Sequence, residues 1–196
     1  HNMGTIKATN IEPIADNGTV TLGSSGDTFS LGSGVVQSNL NNPSFYAYRS
    51  SNQSISSATV TKIEINTEVF DTDSCYDNSS NYRFTPNKAG KYFFYGSCRG
   101  DAGGDNLNNM NVQIKKNGSD DGTGGATGGG MIAQYNNAAP NRFDNMSINV
   151  SGVLDMNGST DYVELYVSIS DSSGNPTVVG NGTQKYTAFG GYRIGT

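Results

Sequence analysis

Histidine, tryptophan and charged side chains are scarce in this chain of 196 residues. Its single histidine is His1, tryptophan is absent, and 15% of the residues are charged, against about 25% in an ordinary globular domain. Because His1 is the only histidine, Ser-His-Asp catalysis, Cys-His catalysis and histidine-based zinc sites are excluded. We expect His1 to Met3 to be a tag remnant, and we expect the protein not to be an enzyme.

Long apolar runs and clusters of basic residues are also missing. No run approaches the roughly 20 residues that a membrane helix needs, so we expect no membrane insertion. The net charge is -5, and the 12 basic residues are scattered along the chain. Lys115-Lys116 is the only basic pair, and on a strand its two side chains would point to opposite faces. We therefore expect no nucleic-acid partner.

The motifs for phosphate and metal binding are incomplete. The Gly-rich stretch 122–130 lacks the Gly-Lys-Ser/Thr ending of a phosphate loop. Asp71 and Asp73 resemble the opening of a calcium loop, but Cys75 occupies the fifth position and no glycine follows it. We expect no cofactor, since calcium would need oxygen ligands from separate loops or from several chains. A glycan hydrolase with two catalytic carboxylates stays open as an alternative function, although no carboxylate pair stands out.

Glycine and alternating apolar residues are what the chain has in quantity. Glycine fills 26 positions, and Val163, Leu165, Val167 and Ile169 alternate with other residues at strand spacing. Two aromatic segments separated by a turn at 87–90 form a hairpin signal. The pattern predicts an all-β fold with strands at 44–49, 60–70, 82–86, 91–98, 111–117, 131–136, 146–155, 161–169 and 186–194.

The hairpin carries a spaced aromatic pattern, which is filled here by Asp71, Tyr76, Phe84, Gly90, Tyr92 and Phe94. This pattern resembles the globular head of complement C1q and, more distantly, tumour necrosis factor. The chain departs from it in having Ile65 for the opening aromatic, one extra residue between Tyr76 and Phe84, and Gly96 for the closing aromatic. The resemblance covers residues 43–196 and implies a jelly-roll β-sandwich that forms a homotrimer.

The resemblance also implies which residues form the core. Tyr92, Phe94 and Phe189 are expected to pack between the two sheets. The last strand contains Gly190 and Gly191, and glycine inside a strand indicates close approach of another chain segment.

A trimer interface follows from the same resemblance. The implied inner sheet consists of the predicted strands at 44–49, 60–70, 186–194, 91–98 and 146–155, and its outer face meets the other copies at a threefold axis. Tyr95 matches a tyrosine used in this way by the tumour necrosis factor branch. Tyr46, Tyr48 and Phe93 alternate suitably for the same interface, and ordinary packing is the alternative for them.

Residues 1–42 form a separate segment that is too polar to have its own core. Val20-Thr-Leu-Gly-Ser24 and Phe29-Ser-Leu-Gly-Ser33 repeat with a period of nine residues. The segment resembles the threefold β-structured shafts of phage tail and capsid fibres. A Gly/Ser linker without fixed structure is the alternative.

Two cysteines flank the central hairpin. Folding the chain about Lys88 brings Cys98 within a bulge of Cys75, so a disulfide between neighbouring strands is sterically possible. Two separate buried thiols are the alternative, and two cysteines alone do not decide between them.

The long loops are expected to gather at the end of the head away from the shaft. These loops span 71–81, 99–110, 137–145 and 170–185, and long loops on a rigid scaffold are where binding usually occurs. Their charged, amide and aromatic side chains suit sugar hydroxyls and sugar faces, with ordinary solvated loops as the alternative. The candidate binding residues are Arg99, Asp101, Asp105, Tyr135, Asn136, Asn137, Arg142, Phe143 and Asp144.

The function expected from these features is host attachment by a fibre of a bacteriophage or phage-like particle. A homotrimeric head would bind a host cell-surface glycan or protein and would lie on the virion surface or outside the cell. Three alternatives stay open: a secreted bacterial or animal C1q-like binding protein, a capsid decoration without a receptor, and the glycan hydrolase.

Overall fold

The computed structural model describes residues 42–104, 106–119, 131–136, 143–172 and 174–195, together with positions 21, 25–28 and 33. The chain divides into two compact units, residues 1–38 and residues 39–196. The expected shaft over residues 1–42 lies almost entirely outside the described residues, so it stays a prediction. Within the described residues, no helix is long and apolar enough to span a membrane.

Thirteen strands make up the regular structure of the described part of the chain. They are β1 (Ser44–Tyr48), β2 (Gln53–Ser54), β3 (Thr61–Lys62), β4 (Thr67–Asp71), β5 (Tyr76–Asp77), β6 (Arg83–Phe84), β7 (Ala89–Asp101), β8 (Leu107–Lys116), β9 (Met131–Asn136), β10 (Asn145–Asn157), β11 (Val163–Asp171), β12 (Thr177–Val178) and β13 (Ala188–Gly195). All their pairings are antiparallel. The all-β prediction is confirmed.

The strands form two sheets that face each other. In the inner sheet the order is β4, β1, β13, β7, β10, and the short strands β12 and β2 continue it beside the end of β7. The outer sheet has the order β5, β6, β11, β8, β9, with β3 also paired to β11. The inner sheet thus contains four of the five strands that the family resemblance implied, and of the fifth, predicted at 60–70, it contains only the part that forms β4.

The core lies between the sheets and is rich in aromatic rings. Phe45 stacks on Tyr76 and Phe84 with ring centroids 4.8 and 4.5 Å apart. Tyr92, Phe94 and Phe189 are fully buried in the same cluster. Gly96 stands where the family pattern has an aromatic, and a side chain there would collide with Leu165 of β11. The opposite sheet therefore fills the space that the missing ring would occupy.

The head has two ends, which we name by the chain segments that they contain. At the entry end, Ser44 pairs with Tyr192, and the Arg193 amide donates to the Pro43 carbonyl at 3.2 Å. The first and last described strands of the head therefore begin and end side by side. The opposite end is called the distal rim, and its described residues are 102–104, 106, 143–144, 172, 174–176 and 179–187.

Two predictions about the first third of the head were wrong. The predicted strand 60–70 is split into β3 of the outer sheet and β4 of the inner sheet, because the chain crosses the core between them with Ile63 and Ile65 buried. Loop 71–81 does not reach the distal rim. β4 runs antiparallel to β1 and ends with Asp71 opposite Phe45, so the loop begins at the entry end.

The cysteines are two free, buried thiols, so the suggested disulfide is not formed. Cys98 lies in the distal half of β7 opposite Ile148, whereas Cys75 lies near the entry end beside Thr85. Burial raises the pKa of Cys75, and it raises that of Cys98 to about 12. Both thiols are therefore protonated at neutral pH.

Candidate functional site

The outward side of the inner sheet carries a continuous group of apolar side chains, which we call the aromatic face. The Tyr46 and Tyr95 ring centroids are 6.3 Å apart, those of Phe93 and Tyr95 6.3 Å, and those of Phe93 and Tyr192 5.7 Å. Phe70 pairs with Tyr46, Val153 pairs with Phe93, and Ile194 follows on β13. The face crosses all five main strands of the sheet.

Strand alternation places these residues on the outward side. In β7 the even-numbered residues Tyr92 and Phe94 are buried in the core, so Phe93 and Tyr95 point away from it. Gly190 of β13 lies between Tyr46 and Tyr95 in the register. A Cβ at Gly190 would collide with the Tyr95 ring. Glycine at this position therefore allows the Tyr95 ring to lie across β13 and join the aromatic face.

The aromatic face is unusually apolar for a surface. Phe70, Val153, Tyr192 and Ile194 keep 47%, 49%, 46% and 50% of their area exposed. Beside Tyr46 and Tyr95, a depression of about 380 Å³ opens toward β10 and is bordered by Ser97 and Asn149. Burial, together with the neighbouring Tyr46 and Tyr192 hydroxyls, raises the pKa of Tyr95. A contiguous apolar patch of this kind marks an interaction surface.

Tyr48 lies on the same outward side but nearer the distal rim. The Lys185 ammonium sits 5.2 Å from its ring centroid, and the Arg99 guanidinium lies 4.6 Å from the ring centroid of Tyr186. Tyr48 therefore belongs to a cationic and aromatic corner rather than to the aromatic face.

The distal rim is held together by local hydrogen bonds. The Ala102 amide donates to the Asp144 carbonyl at 2.7 Å, and the Leu107 amide donates to the Phe143 carbonyl at 3.1 Å. The Asp101 carboxylate accepts from the Gly103 amide at 2.7 Å. Asp101, Phe143 and Asp144 are thereby brought close together. Three other predicted binding residues lie outside the described part of the chain: Asp105, Asn137 and Arg142.

The remaining predicted binding residues do not converge on one site. Arg99 points out from the inner sheet and donates to the Asn145 side chain at 3.1 Å. Asn136 points out from the outer sheet, on the opposite side of the sandwich. Tyr135 packs against the core, with its ring edge-on to Phe143 at 6.4 Å. Near the distal rim, polar side chains therefore lie on both sides of the sandwich and do not form one site.

No metal site is evident in the residues described. Among them, no group of three or more histidine, cysteine, aspartate or glutamate side chains could hold an ion. Asp77 is engaged locally, since its carboxylate accepts from the Ser79, Ser80 and Asn81 amides. These bonds hold the pKa of Asp77 well below its usual range.

Sequence reasoning missed part of the aromatic face and, apart from Asn136, the polar outward side of the outer sheet. Phe70 lies in the predicted strand 60–70, which the structure divides, and Tyr192 lies in the predicted strand 186–194. Neither residue was predicted for the trimer interface. The glycine pair before Tyr192 was a usable signal, because Gly190 is required by the Tyr95 ring.

Comparison with known proteins finds similar folds but no similar sequences. No protein-family model and no curated protein matches the sequence. Among solved structures, the head is similar to Eiger TNF from S. frugiperda, with a TM-score of 0.51 and 9% identity over 78% of this chain and 91% of that one.

Murine APRIL at pH 5.0 has a TM-score of 0.47 and 14% identity, over 78% of this chain and 99% of that one. The globular domain of zebrafish complement 1qA has a TM-score of 0.44 and 13% identity, over 78% and 97%. At such identities a likeness concerns the fold alone. The head therefore has the jelly-roll sandwich fold that is seen in Eiger TNF.

Proposed function

We propose that three copies of the head, residues 43–196, associate through the aromatic face, and that this homotrimer is the attachment head of a bacteriophage or phage-like fibre. It binds a glycan or protein on the host surface and has no catalytic role. The observation that carries the proposal is the exposed aromatic face of the inner sheet.

The physical argument begins with the cost of leaving this face in water. Successive ring contacts join Tyr46, Tyr95, Phe93 and Tyr192 in that order, and the apolar side chains beside them are about half exposed. Burial of such area contributes about 25 cal/mol per Å². A second copy of the same chain is the occupant favoured by the fold, because the resemblance to C1q heads implies a threefold axis at this sheet.

The fibre assignment has two supports. Residues 1–42 resemble phage fibre shafts, and in the head the chain enters at the end opposite the distal rim. Three heads on one shaft would also present three weak sites together, and multivalency raises avidity well above single-site affinity.

The mass in solution tests the trimer. Light scattering at micromolar concentration should give about 62 kDa, which is three times 20.6 kDa. Tyr192→Asp should yield monomers, because it places a carboxylate in the aromatic face. Ile132→Asp is the matched control, since Ile132 is 49% exposed, similar to Tyr192, but lies on the other sheet. A monomeric wild-type chain would contradict the trimer.

Gene neighbourhood tests the fibre assignment separately. Adjacent genes for portal, tail or capsid proteins should be found. A trimer encoded away from any phage gene would favour the secreted C1q-like alternative.

A further inference from the structure

The outward side of the outer sheet carries a regular array of uncharged polar side chains. Across β11, β8 and β9, one row joins Ser170, Asn109 and Asn136, and the next joins Ser168, Asn111 and Gln134. We call these six residues the amide grid, after the four amides among them; Ser168 is 7% exposed, so the amides and Ser170 are the members open to solvent. Alternation fixes their direction, because Met110 of β8 and Ile169 of β11, which lie between the two rows, are buried in the core.

Asparagine in these strands runs against local preference. It is depleted from β-strands because its short amide competes for backbone hydrogen bonds, yet β8 contains Asn108, Asn109 and Asn111. The exposed face of an antiparallel sheet ordinarily tolerates better strand formers such as threonine. Places where a sequence breaks a local rule without a gain in stability are often functional.

The amides of the grid are held in place by one another. Asn109 Nδ2 and Gln134 Nε2 both donate to Asn136 Oδ1, the second at 3.0 Å. Gln113 Nε2, one row further along, donates to Asn111 Oδ1 at 2.9 Å. Their side-chain rotamers are therefore ordered before any ligand arrives, which reduces the entropy cost of binding.

Each of the four amides in the grid keeps a donor or an acceptor that is not used within the described structure. Within the part of the chain that the structure describes, Asn111 Nδ2 and Asn136 Nδ2 have no acceptor, and Asn109 Oδ1 and Gln134 Oε1 have no donor. Both donors and acceptors are thus offered side by side. Rows are about 7 Å apart along the strands, and columns are about 5 Å apart between them.

The chemistry of the grid selects against charged ligands. None of its six members is ionisable, and the neighbouring cation Lys115 is 5% exposed with its ammonium 4.4 Å from the Tyr166 ring centroid. The exposed Ile132 pairs with Gln113 at the border of the grid. A ligand with many hydroxyls and an apolar C–H face matches amides beside an isoleucine.

We propose that the amide grid binds a neutral oligosaccharide. Through Asn136 the grid reaches the distal rim, so the bound chain would extend from the rim down the outward side of the outer sheet. This inference rests on the proposed attachment function and specifies both the surface and the class of receptor.

A purely structural role makes a different prediction. If the amides served only to join the edge strand β9 to β8, replacing them would lower the melting temperature. Threonine keeps or improves strand propensity, so Asn111→Thr combined with Gln134→Thr separates the two roles.

The experiment uses the full chain on a printed array of neutral and acidic oligosaccharides. The wild-type chain should be retained by neutral members and should show no preference for acidic ones. The double variant should lose at least about tenfold in apparent affinity, as expected for the loss of two carboxamide groups, with unchanged mass and melting temperature. Asn87→Thr, the same change in an exposed loop at the entry end, should bind like the wild type.

Several results would overturn the inference. Retained binding by the double variant, or a preference for acidic glycans, would show that the grid is not the site. A large fall in melting temperature with unchanged binding would assign the amides a structural role. If Arg99→Ala abolishes binding while the double variant does not, the attachment function stands and the grid is excluded. If the wild-type trimer binds neither glycans nor host cells, both proposals fall.

Discussion

The two outward faces of the sandwich follow the same alternation but differ in chemistry. On the inner sheet the outward residues are rings such as Phe93 and Tyr95, whereas on the outer sheet they are amides such as Asn111 and Gln134. Both faces rest on one shared core. The inward residues are constrained by packing, while the outward ones are constrained only by what they meet. The difference between the faces therefore carries the functional information.

Removing the shared core should destroy both faces together. Phe94 is fully buried and contacts Tyr92, Phe84 and Phe189. Phe94→Ala should lower the free energy of unfolding by about 3 to 5 kcal/mol, measured by thermal or urea unfolding. Phe143→Ala, at a half-exposed ring of the distal rim, should cost much less. An unshifted melting curve for Phe94→Ala would contradict the assignment of β7.

The Asp161 carboxylate joins segments that belong to different sheets. It accepts from the Lys116 ammonium at 2.8 Å, from the Asn117 side chain at 2.8 Å and from the Asn157 amide at 2.9 Å. Asp161→Asn should lower the free energy of unfolding by about 1.5 to 3 kcal/mol at pH 7, as read from the urea midpoint. Asp155→Asn, at an exposed carboxylate nearby, is the control.

The same carboxylate predicts an acid dependence. Burial raises the pKa of Asp161, but the hydrogen bonds from Lys116, Asn117 and Asn157 outweigh it and leave the pKa below the usual 3.8. Because the folded value is lower than the unfolded one, this stabilisation is complete above about pH 4 and is lost as the pH falls through the folded value. The urea midpoint of Asp161→Asn should fall less steeply below pH 4 than that of the wild type. If the urea midpoints of the two proteins fell in parallel with pH, the acid dependence would not come from Asp161.

A single methyl group added to the aromatic face should lower the free energy of unfolding. In Gly190→Ala the new Cβ would displace the Tyr95 ring, and overpacking of this kind costs about 1 to 3 kcal/mol. Combining it with Tyr95→Ala should recover part of that loss, which a double-mutant cycle on urea midpoints would measure. Additive effects would mean that Gly190 and Tyr95 do not interact.

The smallest effect is expected at an ion pair on the inner sheet. Lys91 and Asp155 are 2.7 Å apart with side chains 51% and 70% exposed, so Lys91→Ala should cost less than about 1 kcal/mol. On the outer sheet, Lys62 lies 2.6 Å from Glu164, which is buried. Lys62→Ala should cost more, because it removes the Lys62 ammonium from a carboxylate that is buried. Equal urea midpoints for the two variants would contradict this contrast.

Much of the fold could be predicted from the sequence, because buried and exposed residues alternate along the long strands. The strand predicted at 131–136 matches β9, and those at 91–98 and 146–155 fall within β7 and β10. The short strands β2, β5 and β12 were missed, since two residues carry no period. The missed β5 adds a reversal of direction, which is why loop 71–81 was assigned to the wrong end.

The candidate site was less predictable, because outward residues follow no packing rule. Tyr95 was found through the family resemblance, whereas Tyr192 and Phe70 join it only when β13 and β4 are placed beside β7 and β1. The amides of β8 and β9 are separated by a chain segment, and their pairing depends on register. One strand read alone shows polar residues and gives no sign of a grid.

The side-by-side ends of the head also matter for protein engineering. Ser44 and Tyr192 occupy paired positions on adjacent strands, and such strands are about 5 Å apart. A surface loop of an unrelated scaffold could therefore accept residues 43–195 as an insert without being stretched. Joining these ends by a short linker and opening the chain in the turn 78–82 would give a circular permutant in which every core strand of the head keeps its neighbours.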